Sequence, residues 1–260
     1  MLKKLIIILL IITSTKALSA QSWQIVTENF PPYFGKNLAD NGWLFEITQS
    51  ALKTQHITSN IEFTNWDRAL KLLERKRRTA VLGAFYSKKR SDIFYYSRPL
   101  SSIHSGLFKR TTSTINYDGT LDSLIPYSIC KEDSAVISNE FSQHKQLAIT
   151  SANNISKSLH LLKNKRVDLV ATTKEVAEYW LKNTTDIQFK TNEIEYIYPH
   201  LATHKLYVIF AKSDPNAKER IQKLNKGIDT IIKNGTVNKI LTKHGFSKKA
   251  ITDYIHFLQQ

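Results

Sequence analysis

From Trp23 onward the chain alternates between two hydrophobic periods, and that alternation constrains its fold more than any other feature. Short apolar runs read as strands: Trp23 to Val26, Ile61 to Phe63, Ala80 to Phe85, Tyr127 to Ile129, Leu147 to Thr150, Val167 to Thr172 and Leu206 to Phe210. Between them apolar residues recur every three or four positions, as in Trp43, Leu44, Ile47 and Ala51, or Trp66, Ala69, Leu70 and Leu73. Leu159 with Leu162, then Val176, Ala177 and Trp180, then Ile221, Leu224, Ile228 and Ile231 continue the helical pattern. Strands alternating with helices in this way predict an α/β fold with largely parallel sheets. Local signals set the ends. Asn65 is a good N-cap type before Trp66. Thr172 with Glu175 has capping-box spacing, and Asp214-Pro215 opens a long helix that Asn234-Gly235 stops. Thr236 then opens a shorter helix through Leu241. The chain has 260 residues, 42% of them hydrophobic, enough to bury a core in one large domain or two small ones.

The first twenty residues follow a different rule. Two lysines lie within Met1 to Lys4, Leu5 to Ile12 is an unbroken apolar run, and the stretch ends in the small residues Ser19 and Ala20. That is the pattern of a cleavable secretory signal peptide over 1–20. The apolar run is far short of the ~20 residues a membrane helix needs. The expected location is therefore the periplasm. Export also changes the meaning of the net charge of +15. Loss of Lys3, Lys4 and Lys16 leaves 34 basic against 22 acidic residues, a net +12, and an exported protein meets no chromosome. Nucleic acid is thereby removed as a partner. The single Cys130 allows no intrachain disulfide and no thiolate zinc site, and is expected to be buried in a strand.

Several stretches then carry a resemblance: Ile25-Val26-Thr27-Glu28-Asn29-Phe30-Pro31-Pro32-Tyr33, Asn41 to Ile47, Trp66-Asp67-Arg68-Ala69-Leu70, Gly83 to Arg90, Tyr96-Ser97-Arg98-Pro99, Arg166 to Val170, and Leu224-Asn225 to Thr236. In this order and spacing the chain resembles the periplasmic solute-binding proteins of amino-acid-type ABC transporters, family 3. That resemblance implies a two-lobed type II periplasmic-binding fold, each lobe a mostly parallel sheet flanked by helices, with a ligand cleft between the lobes. Lobe 1 would be residues 21–109 plus 206–260, and lobe 2 residues 110–205. It also implies a monomeric binder rather than an enzyme, without cofactor or metal, whose partners are a small-molecule ligand and an ABC permease or a membrane sensor.

Residue by residue, Arg90 matches the position that grips a ligand carboxylate, work that a guanidinium fork suits. Phe30 and Trp66 match cleft-lining aromatics. Glu28, Gly83, Phe85, Thr172 and Thr173 complete the expected ligand-binding set. Two positions depart from the pattern. Phe85 stands where amino-acid binders place a ligand-bonding Thr, and Thr173 where they place the Asp that neutralises the α-ammonium. A buried ammonium without a carboxylate is costly. The ligand is therefore expected to be a carboxylate-bearing or aromatic compound rather than a standard α-amino acid, unless Glu28, Glu132 or Asp133 supplies the missing charge. The reading from another class is a periplasmic enzyme on the same fold, similar to cyclohexadienyl dehydratase, for which the same three carboxylates are the candidate general acids. Other patterns carry less. His200 and His204 are four apart but follow a strand pattern around Pro199, and the run Arg75-Lys76-Arg77-Arg78 reads as a solvated loop.

Overall fold

A computed structural model describes residues 21–133, 135–183 and 193–260. The expected signal peptide lies outside the described residues. The elements in chain order are β1 (Gln21–Thr27), α1 (Trp43–Lys53), β2 (Ile57–Phe63), α2 (Trp66–Glu74), β3 (Ala80–Phe85), the single turn α3 (Lys88–Ser91), β4 (Phe94–Tyr96) and β5 (Ser101–Arg110). There follow β6 (Ser128–Glu132), α4 (Asn139–Gln143), β7 (Ala148–Ala152), α5 (Ile155–Lys163), β8 (Leu169–Thr173) and α6 (Lys174–Asn183). The long β9 (Ile194–Ala211), α7 (Ala217–Lys233), α8 (Thr236–Lys243) and α9 (Lys248–Gln259) complete the chain.

The strands form one hydrogen-bonded path in the order β2-β1-β3-β9-β5-β8-β6-β7, with β4 on β9. At one end β2, β1 and β3 run parallel, and at the other β7, β6 and β8 do. The antiparallel strands β5 and β9 join the two triplets. This is the parallel arrangement that the alternating pattern predicts, repeated twice. Buried side chains follow the same division. One cluster draws Trp23, Ile25, Leu44, Ile47 and Leu82 together with Leu224, Ile228, Ile231 and Leu241. Others take Cys130, Leu159, Leu162 and Val170, or Leu107, Ile129, Phe141 and Leu169. The late helices therefore pack with the first triplet, against α1 in particular. Where α1 and α7 touch, Gly227 is required: a Cβ there would overlap the backbone of Ala51.

Helix ends follow the capping signals with two shifts. Asn65 accepts from the Arg68 N–H at 2.9 Å, and Gly235 takes the left-handed φ of 75° that ends α7 and opens α8. Asp214 and Pro215, however, precede the first turn of α7. The Asp214 carboxylate accepts from the Asn216 N–H at 3.0 Å, and the helix starts at Ala217. The second shift concerns Thr172. It is not a helix-opening residue but part of β8, paired with Gly106, and α6 begins at Lys174. Sheet hydrogen bonds outweigh the local capping signal, and Glu175 turns to His104 at 3.1 Å instead of capping.

Candidate functional site

Between the two triplets lies a cavity of about 250 Å³. All eight expected site residues line it: Glu28, Phe30, Trp66, Gly83, Phe85 and Arg90 from the first half, Thr172 and Thr173 from the second. The reason is topological. Glu28 follows β1, Gly83 and Phe85 end β3, and Thr172 and Thr173 end β8. Carboxyl ends of parallel strands converge on the crevice between sheets, where α/β folds hold their ligands.

Arg90 sits in the short α3 turn, whose N-cap Ser87 accepts from the Arg90 N–H at 3.2 Å. Its guanidinium is fixed from two sides. Nη1 donates to the Phe85 carbonyl at 3.2 Å, and the Trp66 ring lies 5.3 Å below it. A cation over an indole face gains about 0.5–2 kcal/mol. Among the described residues no carboxylate lies within ion-pair distance of Arg90, so its remaining donors are available to an incoming anion. Trp66 lines the cavity while also packing on the core that includes Leu73 and Ala69.

Gly83 and Phe85 shape the floor. Gly83 has φ of 90°, and a Cβ there would overlap the ring of buried Phe34. Phe85 stands edge-on to Phe30 at 6.3 Å and lies flat on His204 at 4.9 Å, their planes 8° apart. The Nε2 of His204 in turn is 2.6 Å from the carbonyl of Ile137, itself a cavity residue. Phe85 thus presents the cavity with an aromatic wall that is tied to both halves. His200 pairs separately with the Tyr196 hydroxyl at 2.6 Å, so the two histidines face different partners.

The second half contributes residues that the sequence did not single out. Val176 and Trp180, one helical turn apart on α6, line the cavity with Ala135, Val136, Ile137 and Asn154. Their i, i+4 spacing was visible, but not which side of α6 faces the crevice. Glu132, at the end of β6, lines the cavity as well, whereas Asp133 is not among its lining residues and is exposed. Among the described residues Lys131 forms no ion pair with the Glu132 carboxylate; its ammonium donates instead to the carbonyls of Glu132, Asp133 and Ala135 at 2.8, 3.2 and 3.3 Å.

Two carboxylates thus face one cavity from opposite halves. Burial raises Glu28 from 4.5 to about 7; the Glu132 charge adds to the rise, Arg90 opposes it, and Asp67 adds a smaller push. Burial also raises Glu132, with Lys131 opposing. Close carboxylates in a poorly solvated pocket resist double ionisation, and either a proton or a cation relieves them. The cavity therefore offers a guanidinium fork, two carboxylates short of positive charge, two threonine hydroxyls and aromatic walls. A metal has a poorer prospect elsewhere. Asp40, Glu46 and His244 bring ligand atoms within 4.8 Å of one another, but the Lys243 ammonium already sits 2.6 and 2.8 Å from the two carboxylates.

Residues 24–248 match the model of the bacterial extracellular solute-binding proteins, family 3. The chain belongs to that family. Sequence comparison with curated proteins finds no match. Among solved structures, the substrate-binding protein of an amino acid ABC transporter is 17% identical, with a TM-score of 0.68 over 85% of this chain and 98% of that one. A histidine kinase sensor domain similar to periplasmic binding proteins is 16% identical, with a TM-score of 0.70 over 85% and 95%. The GluR0 ligand-binding core from Nostoc punctiforme, in complex with L-glutamate, is 15% identical, with a TM-score of 0.69 over 85% and 98%. The fold is that of the type II periplasmic-binding proteins, and the family role is solute binding. Among the described residues no helix is long and apolar enough to cross a membrane.

Proposed function

We propose that this solute-binding protein captures a small zwitterionic, amino-acid-like solute in the periplasm and presents it to an ABC permease, or to a membrane sensor, by closure of two lobes. The lobes are residues 21–109 with 206–260, and residues 110–205. Arg90, set on Trp66, takes the solute's carboxylate. Glu28 and Glu132 share its cationic group, and Phe30, Phe85 and Trp180 enclose the apolar part. Thr172 and Thr173 accept or donate at the remaining polar edge, with Gly83 giving the solute room against the backbone. The observation that carries this reading is the placement of Glu132 across the cavity from Arg90 and Glu28. It supplies the negative charge that Thr173 lacks, and so favours an amine-bearing solute over the amine-free carboxylate that Thr173 alone suggests. Amino-acid ligands of the structural neighbours support the same class.

Thermal-shift screening against amino acids, their amides and decarboxylated amines, and organic acids tests it. An amino-acid-type hit that Arg90→Ala weakens at least tenfold is expected. Selective stabilisation by an amine-free acid refutes the zwitterion assignment. The enzyme reading has one observation in its favour: a carboxyl near 7, as at Glu28, suits a general acid at neutral pH. Incubation of purified protein with prephenate decides that point, and unchanged prephenate removes a dehydratase.

A further inference from the structure

Glu28, Arg90 and Glu132 are the charged side chains that line the cleft cavity, so two carboxylates face one guanidinium there. Carboxylates that this chain uses as structure are held in place. Asp168 accepts from the Ser128 N–H and hydroxyl at 2.9 and 2.7 Å, and Glu46 lies 2.8 Å from the Lys243 ammonium and 2.7 Å from the Nε2 of His244. Glu28 and Glu132 differ: among the described residues neither side chain accepts a hydrogen bond or forms an ion pair. Both are half-buried, and no oxygen of either is among the buried polar atoms closed off from solvent. Their oxygens therefore open on the cavity and are within reach of what enters it.

The surroundings limit the charge that this pair can hold. Arg90 from α3 favours the ionised form of Glu28, while Glu132 from β6 and the exposed Asp67 from α2 oppose it. Lys131 favours ionisation of Glu132, but its ammonium donates to backbone carbonyls. His204 from β9 stands behind Phe85 with Nε2 on the Ile137 carbonyl, and the rest of the lining is uncharged. Ionised together, the two glutamates leave the cavity with one negative charge in excess, and an uncompensated charge in a poorly solvated space is costly. One proton on the pair makes the cavity neutral. The rise of Glu28 to about 7 agrees with that count.

We propose that Glu28 and Glu132 share one exchangeable proton, which a cationic amino acid displaces to solvent and a neutral zwitterion leaves in place. This deepens the zwitterion reading of the cleft and rests on it. A neutral zwitterion brings its ammonium to the pair but occupies Arg90 with its carboxylate, so the sum of charge in the cavity is unchanged and the proton stays. A solute with a second cationic group brings one positive charge in excess, the charge that the proton had supplied. The cleft is neutral in both complexes. Selectivity then depends on pH, because a cationic solute has to expel a bound proton at low pH and not at high pH. With a midpoint near 7, such a solute gains about tenfold in affinity between pH 6 and pH 8.

Two measurements test it. In the first, the full exported chain without solute, labelled with ¹³C at its glutamate carboxyls, is titrated by NMR from pH 4 to 9. The Glu28 midpoint is expected to drop by at least half a unit in Glu132→Gln, and the Glu132 midpoint by as much in Glu28→Gln. Midpoints that ignore the partner's replacement overturn the shared proton. In the second, L-arginine and L-citrulline, matched in shape and different by one charge, are titrated by calorimetry at pH 6, 7 and 8, the pH 7 series in both phosphate and Tris. Arginine is expected to bind about tenfold tighter at pH 8 than at pH 6 and to release protons, read as a heat that differs between the two buffers. Citrulline is expected to vary less than threefold and to release none. In Glu132→Gln the arginine ratio is expected to fall below threefold, and in His204→Gln to persist. A ratio that persists in Glu132→Gln but vanishes in His204→Gln assigns the proton to the histidine and overturns the proposal. So does the same pH response for both probes. Binding of neither probe overturns the exchange, and the shared proton then stands or falls on the first measurement, while the zwitterion reading is judged separately by the wider amino-acid screen.

Discussion

Replacing Glu28 by glutamine is expected to stabilise the empty protein, although it removes a residue assigned to ligand capture. In the unfolded chain this carboxyl titrates near 4.5, while burial and the Glu132 charge hold it near 7 in the folded protein. Between those values the native state keeps a proton that the unfolded state has released, so stability falls as pH rises and levels off above about 7. The full difference of about 2.5 units corresponds to about 3.4 kcal/mol at 1.36 kcal/mol per unit. Glu28 is only partly buried, and water reaching it reduces the penalty, so about 1–3 kcal/mol is expected. Glutamine is nearly the same size and carries no charge, so Glu28→Gln escapes this loss. At pH 5 the two proteins should unfold at nearly the same temperature. At pH 8 the variant should unfold roughly 2–12 °C higher, given about 2–4 °C per kcal/mol for a chain of this length. Thermal unfolding without ligand at half-unit steps from pH 5 to 8 measures the divergence. Parallel curves across that range would refute the argument that Glu28 is ionised at a cost in the empty cleft.

Arg90→Lys keeps the charge but loses the planar fork and the stacking on Trp66, and solute affinity by calorimetry should fall about ten- to a hundredfold with the melting temperature of the empty protein little changed. Gly83→Ala forces a Cβ toward the Phe34 ring at a φ of 90°, and denaturant unfolding should show a loss of about 2–4 kcal/mol, with the cavity narrowed. Phe85→Thr introduces a hydroxyl into the cavity wall at the expense of the His204 stack; the empty protein should lose about 1–3 kcal/mol, and the solute screen should broaden toward polar amino acids.

The parallel triplets and their helices were legible in the sequence because each buries one apolar face, and burial writes its period locally. Ala80 to Phe85 is found at the expected bounds for this reason. The joining strands were not legible. Ser101 to Arg110 mixes Ser, His and Gly with no apolar run of its own, and β9 before Leu206 interleaves Glu, His, Thr and Lys with its apolar residues and contains Pro199. Their strand character comes from partners about ninety residues away: Ser102 pairs with Lys205 and Arg110 with Ile194. For the site, the residue types and their positions after strand ends sufficed for all eight expected residues to reach one cavity. Glu132 carried only a possible charge-supplying role, because nothing local says that the end of β6 faces Glu28. That juxtaposition depends on how two sheets meet, which is a property of the whole fold.

The place where they meet also explains how β9 tolerates a proline. Between the pairs Ser105 with Ala202 and Leu107 with Ile197, β5 advances two residues and β9 five. Pro199 lies in the extra length, where no ladder hydrogen bond is asked of it. An irregular ladder alone would leave the register between the halves weakly set. Side chains set it instead: His104 and His200 stack at 4.2 Å, the Tyr196 hydroxyl lies 2.6 Å from His200, and Gly106 leaves room for that hydroxyl where any Cβ would collide. Gly106 in turn pairs with Thr172 in the cavity wall. A ladder that is interrupted can bend, while a stacked cluster beside it resists sliding. If the halves close as proposed, rotation about this interrupted stretch suits the ladder better than sliding along it, and rotation is the motion that hinge closure uses.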